Sequence, residues 1–516
     1  MARYCSSRRL TLSAATFLAV GFVSAQFTAA QYTWVQDPDS VGDWHDSANW
    51  LDGGTNTTFP NGVGVTAQIN QPIKSGFADY TLDMPTADVT VGQLTIDNTG
   101  DFYGTKLIMV NHAPGRLIFE DSSGTAKYIE TANGTAGDAP GGIQNSIQVL
   151  IQLNSDLEIT QNNYPNLNTG TTFTNRIDGD STRKIIKKGI GGIQFNLNVA
   201  PPLGAGQGFF GQIMIEEGAI RFINKSTFLS TVSGITVSDG GQLQLADNAT
   251  AVPDYAMAEG AVLNLNGLGK SHPQAGPEGA LRFGITVAGR TQTFHNPVNL
   301  QSDARIHVAL ANTTGLLNKV VSGSGDLIKS GAGQLTLTDN NTYTGDTRIN
   351  NGILSITNPY LADGADVYLT TSGVFNLDFG ATDTIRSLYF DGIGQSVGTW
   401  GGVGSGATNE SAFFTGTGLL NVTTLPSVGV PGDYNGNGAV DAADYVLWRN
   451  GGPLQNEVDN AGVVDAQDYV EWNARFGNTS GSGSGSLSTS SAVPEPTAFM
   501  LVFLAIATLA GVRRNR

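Results

Sequence analysis

The sequence has almost no cysteine, little charge and few histidines, and each shortage excludes a class of chemistry. The one cysteine, Cys5, stands in a stretch that reads as an export leader, so cleavage leaves none in the mature chain. Disulfides, thiol nucleophiles and cysteine metal sites are thereby excluded. Only 14% of the 516 residues are charged, and 27 Lys and Arg against 44 Asp and Glu give a net charge of −17. Phosphate backbones need a basic patch, so nucleic acid is not an expected partner. The acidity favours a soluble surface and attracts divalent cations. The five histidines (His45, His112, His272, His295 and His307) stand singly, without His-x-x-x-His metal spacing, and each is read as a surface or turn residue. No Gly-x-Ser-x-Gly elbow or phosphate loop occurs, and "GSGSG" at 481–485 is linker.

What is abundant is glycine, at 67 residues, together with Asn, Asp and Thr. These residues suit short strands joined by tight turns. "DVTVGQLTID" (88–97), "GITVSDGGQLQLADN" (234–248) and "GAVLNLNG" (260–267) alternate apolar and polar positions. Period-two alternation means strands with one buried face. The chain also repeats itself: "GQLTIDN" from Gly92, "GQLQLADN" from Gly241 and "GQLTLTDN" from Gly333. A longer echo pairs "KIIKKGIGGIQF" (184–195) with "DLIKSGAGQLTL" (326–337), each followed by a strand ending "IEEGAIRF" or "INNGILSI". Irregularly spaced strand–turn–strand units predict a right-handed parallel β-helix or β-solenoid over 31–425, with insertions bulging out as loops. A set of β-sandwiches is the alternative. Three tryptophans near the start, Trp34, Trp44 and Trp50, are read as a cap over the open end of the stack, with sugar stacking as the other option.

"GSGDLIKSGAGQLTLTDNNTYTGDTRINNGILSI" (323–356) resembles the autotransporter-associated β-strand repeat, on Lys329, Gly331, Gly333, Asn341, Tyr343, Thr344, Gly345 and Gly352. The copy at 184–222 keeps the first half and replaces the Asn-x-Tyr-Thr-Gly turn. The resemblance implies a passenger-like extracellular β-helix. No membrane-barrel strands follow in this sequence, so a complete autotransporter is not expected. The Asn-Thr-Asp, Gly-His-Gly and Arg-Ile-Lys motifs of β-helix pectinases are missing, and scattered Asp pairs beside Gly and Asn serve turns.

The ends carry addresses. Residues 1–30 read as a signal peptide: Arg3, Arg8 and Arg9, then a short apolar run, then small residues before a cleavage point. Residues 479–492 are a Ser/Gly linker. Residues 493–516 resemble the PEP-CTERM sorting signal, with Pro494-Glu495-Pro496, an apolar stretch and a basic end at Arg513, Arg514 and Arg516. As a helix, 498–512 would span roughly 22 Å, short of the ~30 Å hydrocarbon core. The resemblance implies an exosortase-type processing enzyme and transient inner-membrane contact through a C-terminal hydrophobic helix.

The sharpest chemistry is "GDYNGNGAVDAADYVLWRN" (432–450). Calcium takes six to eight oxygens, which a twelve-residue loop supplies at positions 1, 3, 5, 7, 9 and 12. Counted from Asp433, these are Asp433, Asn435, Asn437, the carbonyl of Ala439, Asp441 and Asp444, with Gly438 at the sharp turn and Val440 set to pack against a paired loop. A second copy offers Glu457, Asp459, the carbonyl of Val463, Asp465 and Asp468. It places Ala461, with no side-chain oxygen, at position 5, which predicts a weaker site. The duplication over 426–478 resembles a type I dockerin. This implies two Ca2+ loops, short helices and a cohesin-like partner. The partner-selecting positions 10 and 11 are the nearly featureless Ala442-Ala443 and Ala466-Gln467. Two functions are expected from the whole: an exported, non-catalytic cell-surface or matrix protein with a calcium-stabilised docking module, or a polysaccharide-binding or polysaccharide-degrading β-helix protein. A cluster of two or three Asp or Glu and one basic residue in a groove of the body discriminates between them.

Overall fold

The computed structural model describes residues 30–35, 42–55, 57–70, 80–84, 87–98, 107–111, 115–132, 145–162, 171–197, 207–223, 228–247, 254–272, 276–425, 430–452, 454–457 and 464–479. The chain divides into two compact units, Met1–Pro426 and Ser427–Arg516. The signal peptide (except Ala30), the linker beyond Thr479 and the whole 493–516 tail lie outside the described residues. Among the described residues no helix is long and apolar enough to cross a membrane.

The first unit is mainly β, and its large sheets are built mostly from parallel pairs. Many strands pair in register with one strand earlier in the chain and another later. Lys184–Lys188 lies between Asp156–Gln161 and Gln212–Ile215. Gly192–Phe195 continues into Gly218–Ile223, Gly241–Ala246 and Leu281–Gly284. A second ladder runs Thr291–Phe294, Thr314–Leu317, Gln334–Leu337, Gly352–Ile356, Gly373–Leu377 and Phe414–Gly416. Parallel ladders of this kind are not the antiparallel packing of a sandwich.

Register converts the alternation of the sequence into columns. Leu335, Leu354, Phe375 and Phe414 occupy successive rungs of one buried column, and Leu337, Ile356 and Leu377 occupy the next. Phe173, Phe195 and Phe222 form another, with ring centroids 5.4 Å apart at each step. A one-residue slip would turn every such side chain outward, so the columns fix the register. The stack begins at an antiparallel partner: Trp50–Asp52 covers the outer edge of Gln31–Trp34, whose other edge pairs in parallel with Thr66–Asn70. An uncovered edge would invite another chain. Trp44 and Trp50 are fully buried and Trp34 nearly so, packed edge to face at 4.8–4.9 Å. Trp44 Nε1 donates to the Pro60 carbonyl and Trp50 Nε1 to that of Trp44. Their faces are taken by one another, so they do not stack on sugars.

One expectation fails here. His307 is neither a surface nor a turn residue. It lies half-buried within the strand Val298–Val308, with Nδ1 3.0 Å from Ser330 Oγ. Burial, and then the nearby Arg282, Lys329 and Arg305 charges, push its pKa down to about 4.

The repeat motif acquires a physical account. Lys329 is fully buried in Leu327–Ser330, and its ammonium donates to the carbonyls of Ser330 (2.9 Å), Gly331 (2.8 Å) and Asn351 (2.8 Å). Lys187 does the same in the weaker copy, donating to Lys188 and Gly189 at 2.6 Å each and to Glu217 at 3.2 Å. An ammonium has three donors, and here each finds a carbonyl. Each clamp ties a strand end to the turn that follows the next strand of its ladder. Asn341 Oδ1 accepts the Val321 N–H at 2.6 Å, and buried Tyr343 hydrogen-bonds Thr347 at 2.8 Å. Gly352, beside the Asn351 carbonyl, has φ +71°, and a Cβ there would lie 2.4 Å from the Gly331 oxygen. Gly218 holds the same place in the other clamp, with φ +72°.

Gly352→Ala is therefore expected to cost at least ~2 kcal/mol, since a left-handed φ alone costs ~1–2 kcal/mol in an L-residue and the overlap adds to it. Gly404→Ala is the control. Its φ is +83° with nothing within 4 Å of the added carbon. It should lose only the conformational part. Guanidinium unfolding of both variants reads the difference.

Candidate metal centre

In the second unit, Ala442–Arg449 (α1) and Ala466–Arg475 (α2) are the two helices expected after the two loops. Each begins at a reciprocal capping box. Asp441 accepts the Ala443 N–H at 2.7 Å, while Asp444 reaches back to the Asp441 N–H at 2.7 Å. Asp465 and Asp468 repeat this with Gln467 and Asp465 at the same distances. Two of the four orphan N–H groups at each helix start are thereby satisfied. The helices are related by a 24-residue shift (441 to 465, 444 to 468, 448 to 472). They also exchange hydrogen bonds. Trp448 Nε1 on α1 donates to the Asp465 carbonyl at 2.6 Å, and Trp472 Nε1 on α2 donates to the Asp441 carbonyl at 2.8 Å. Tyr445 packs on Trp472 and Trp448 on Tyr469, both at 5.2 Å between ring centroids.

The first loop is held by its own side chains. Asp433 accepts from Asn437 N–H (3.1 Å) and Gly438 N–H (2.7 Å). Asn435 Oδ1 accepts from Asn437 N–H, and Asn437 Oδ1 from Ala439 N–H, both at 2.9 Å. Asp444 Oδ1 closes the loop on Asn435 N–H at 2.9 Å. Gly436 and Gly438 have φ of +71° and +89°, so the sharp turn predicted at Gly438 uses both. Asp433 is 2% exposed and Asp444 0%.

The fit to a divalent cation rests on these two buried carboxylates. Every hydrogen-bond partner found for them is a backbone N–H, and among the described residues neither forms an ion pair with a Lys, Arg or His. Burying charge without countercharge is costly, and a cation bound by the loop removes that cost. Among the described residues no three His, Cys, Asp or Glu side chains are grouped to hold a metal ion. The loop must draw its remaining donors from Asn435, Asn437 and carbonyl oxygens, as hard cations accept.

The second loop is described in part. Glu457 is half-buried and Asp468 buried. Both lie near Tyr434, whose hydroxyl is pushed up to about 12 by burial first and then by the charges of Asp468, Glu471 and Glu457. Tyr434 is itself buried and donates to the Asp468 carbonyl. Asp459 and Val463 lie outside the described residues. Val440 stands at loop position 8. It is buried, but its backbone pairs with the segment after α2, through Asn478 O and Gly477 N–H at 2.8 Å each, beside an antiparallel bridge from Ala439 to Thr479. Ala442, Ala443, Ala466 and Gln467 are exposed.

Sequence reasoning missed the two lysine clamps of the body and the tryptophan exchange. The signals were the Lys-x-Gly step before each turn and the Trp repeated at the 24-residue shift.

Comparison with known proteins gives one match: the passenger-associated-transport-repeat family model covers residues 327–356, the stretch that holds the Lys329 clamp. That supports the autotransporter-associated repeat, which is a feature of exported and cell-surface proteins. No curated protein and no solved structure matches the chain.

Proposed function

We propose that this chain is an exported, non-catalytic cell-surface or matrix protein. Its body is a right-handed parallel β-solenoid that gives reach and contact area. Its second unit is a dockerin-like module that calcium stiffens for docking to a cohesin-like protein or to envelope matrix. Its tail is a PEP-CTERM signal read by an exosortase-type enzyme after transient contact with the inner membrane. The observation that carries the reading is the same lysine clamp at Lys187 and Lys329 within in-register parallel ladders. The repeat that matches a passenger family thus has a second structural copy in the body. Protease treatment of intact producing cells tests it. Loss of the body from the cell surface is the expected result, together with a mature C-terminus near Pro494-Glu495-Pro496 by mass spectrometry. Full protection in intact cells, with peptides extending to Arg516, would overturn it.

A further inference from the structure

Four coils of the body place one side chain each in a single outward column. The strands Arg116–Phe119, Leu150–Leu153 and Ile177–Gly179 pair in parallel, with Phe119 opposite Leu153 and Leu153 opposite Gly179. Gly179 in turn bridges in parallel to Phe209. Phe119, Leu153 and Phe209 point inward and are buried. The next residue of each coil, Glu120, Asn154, Asp180 and Phe210, therefore faces out. With strands ~4.8 Å apart, the column runs about 14 Å. These four residues, with Gln152 and Arg183, line a groove of about 390 Å³.

We infer that this groove binds a neutral linear polysaccharide, with Phe210 as the stacking platform and Glu120, Asn154 and Asp180 as hydroxyl partners. Phe210 is 37% exposed, and among the described residues of the body no other aromatic ring is classed as exposed. An exposed aromatic face suits the apolar C–H face of a pyranose, and the flanking carboxylates and amide suit its hydroxyls. The polar groups are preset. Asn154 Nδ2 donates to Glu120 Oε2 at 2.8 Å, leaving its carbonyl oxygen for a ligand. Asp180 accepts from Thr182 N–H at 2.8 Å, and Arg183 Nε stands 3.6 Å from its other oxygen.

Charge selects the ligand. Two carboxylates against one guanidinium, on a chain of net charge −17, repel uronates, sulfated glycans and nucleic acid. The two carboxylates belong to coils two steps apart and hold different partners, so they do not converge on a cation. A glycosidase acid must carry a proton. Hydrogen bonds from Thr182, and then the Arg183 charge, hold Asp180 below the usual carboxylate range, so it is ionised. Asp180 is therefore not such an acid.

This names a ligand class for the surface protein proposed above, but it is tested on the purified full chain and so fails or stands apart from localisation. The probes are cellohexaose, xylohexaose and mannohexaose in titration calorimetry. Binding of at least one is expected, weakened at least tenfold by Phe210→Ala and by Asn154→Ala and retained by Phe210→Trp. Phe210 is a surface side chain, so its truncation leaves the buried columns intact. No binding by any of the three, unchanged binding by Phe210→Ala, or release of new reducing ends would overturn the inference.

Discussion

Asp444→Ala is expected to weaken calcium binding by on the order of 100-fold and to destabilise the second unit even in chelator. The two effects have different origins. The carboxylate would be a charged ligand at loop position 12, and it accepts the N–H groups of Asn435 and Asp441. Truncation leaves both donors without partners and removes half of the α1 capping box, a loss of roughly 1–2 kcal/mol without any metal. Asp433→Asn separates metal from architecture by condition. It keeps the shape and removes one buried charge, but Asn437 and Gly438 bond different oxygens of Asp433, so one of the two N–H groups would face the new amide NH2. In chelator, relief of that unpaired buried charge offsets the lost hydrogen bond, so the variant should differ little from the parent. In saturating calcium it should be less stable. Calorimetric titration and thermal melts of the full chain, with calcium and with chelator, read both. If Asp433→Asn has the same effect in both conditions, the loop is an Asx-rich turn and no calcium site.

How far the molecule was legible in its sequence depends on whether the relevant contact is local. The helix starts were legible, because an Asp-x-x-Asp spacing brings both partners of a capping box within one turn. The sharp turn at Gly438 in the first loop was legible for the same reason. Strand faces were legible from alternation, because each residue's side is set by its neighbours along the chain. The groove was not. Glu120, Asn154, Asp180 and Phe210 are separated by 34, 26 and 30 residues (120 to 154, 154 to 180, 180 to 210). The uneven loops between coils hide the column, and only the pairing of Leu153 with Phe119 and Gly179 reveals it. Val440 makes a second non-local contact. Loop arithmetic gave its burial correctly, but its backbone partner, Asn478, comes from beyond the second helix, where the loop pattern carries no information.

Lys329→Met should cost about 3 kcal/mol or more at neutral pH, and the loss should widen as pH rises. Methionine fills a similar volume but has no donor, so the carbonyls of Ser330, Gly331 and Asn351 all lose a partner. A buried acceptor left unsatisfied costs ~1–3 kcal/mol. Opposing this is relief from burying an amine that prefers water. Burial pulls the Lys329 pKa from 10.5 down to about 7, so the proton is held weakly at neutrality. The folded pKa is therefore lowered relative to the unfolded chain. Between about pH 7 and 10.5 the unfolded chain binds the extra proton, and stability rises with pH. Below that window both states are protonated and the contribution is flat. The parent therefore gains stability from this site on going from pH 7 to pH 10, by up to ~1.4 kcal/mol per pH unit, and Lys329→Met does not. Lys187 has the same carbonyl clamp and a pKa also lowered to about 7, so Lys187→Met should repeat the pattern. Guanidinium unfolding of the parent and both variants across this range gives the difference at each pH. A difference that stays constant or shrinks with pH would mean that the clamp holds its proton throughout, with the three carbonyls outweighing burial.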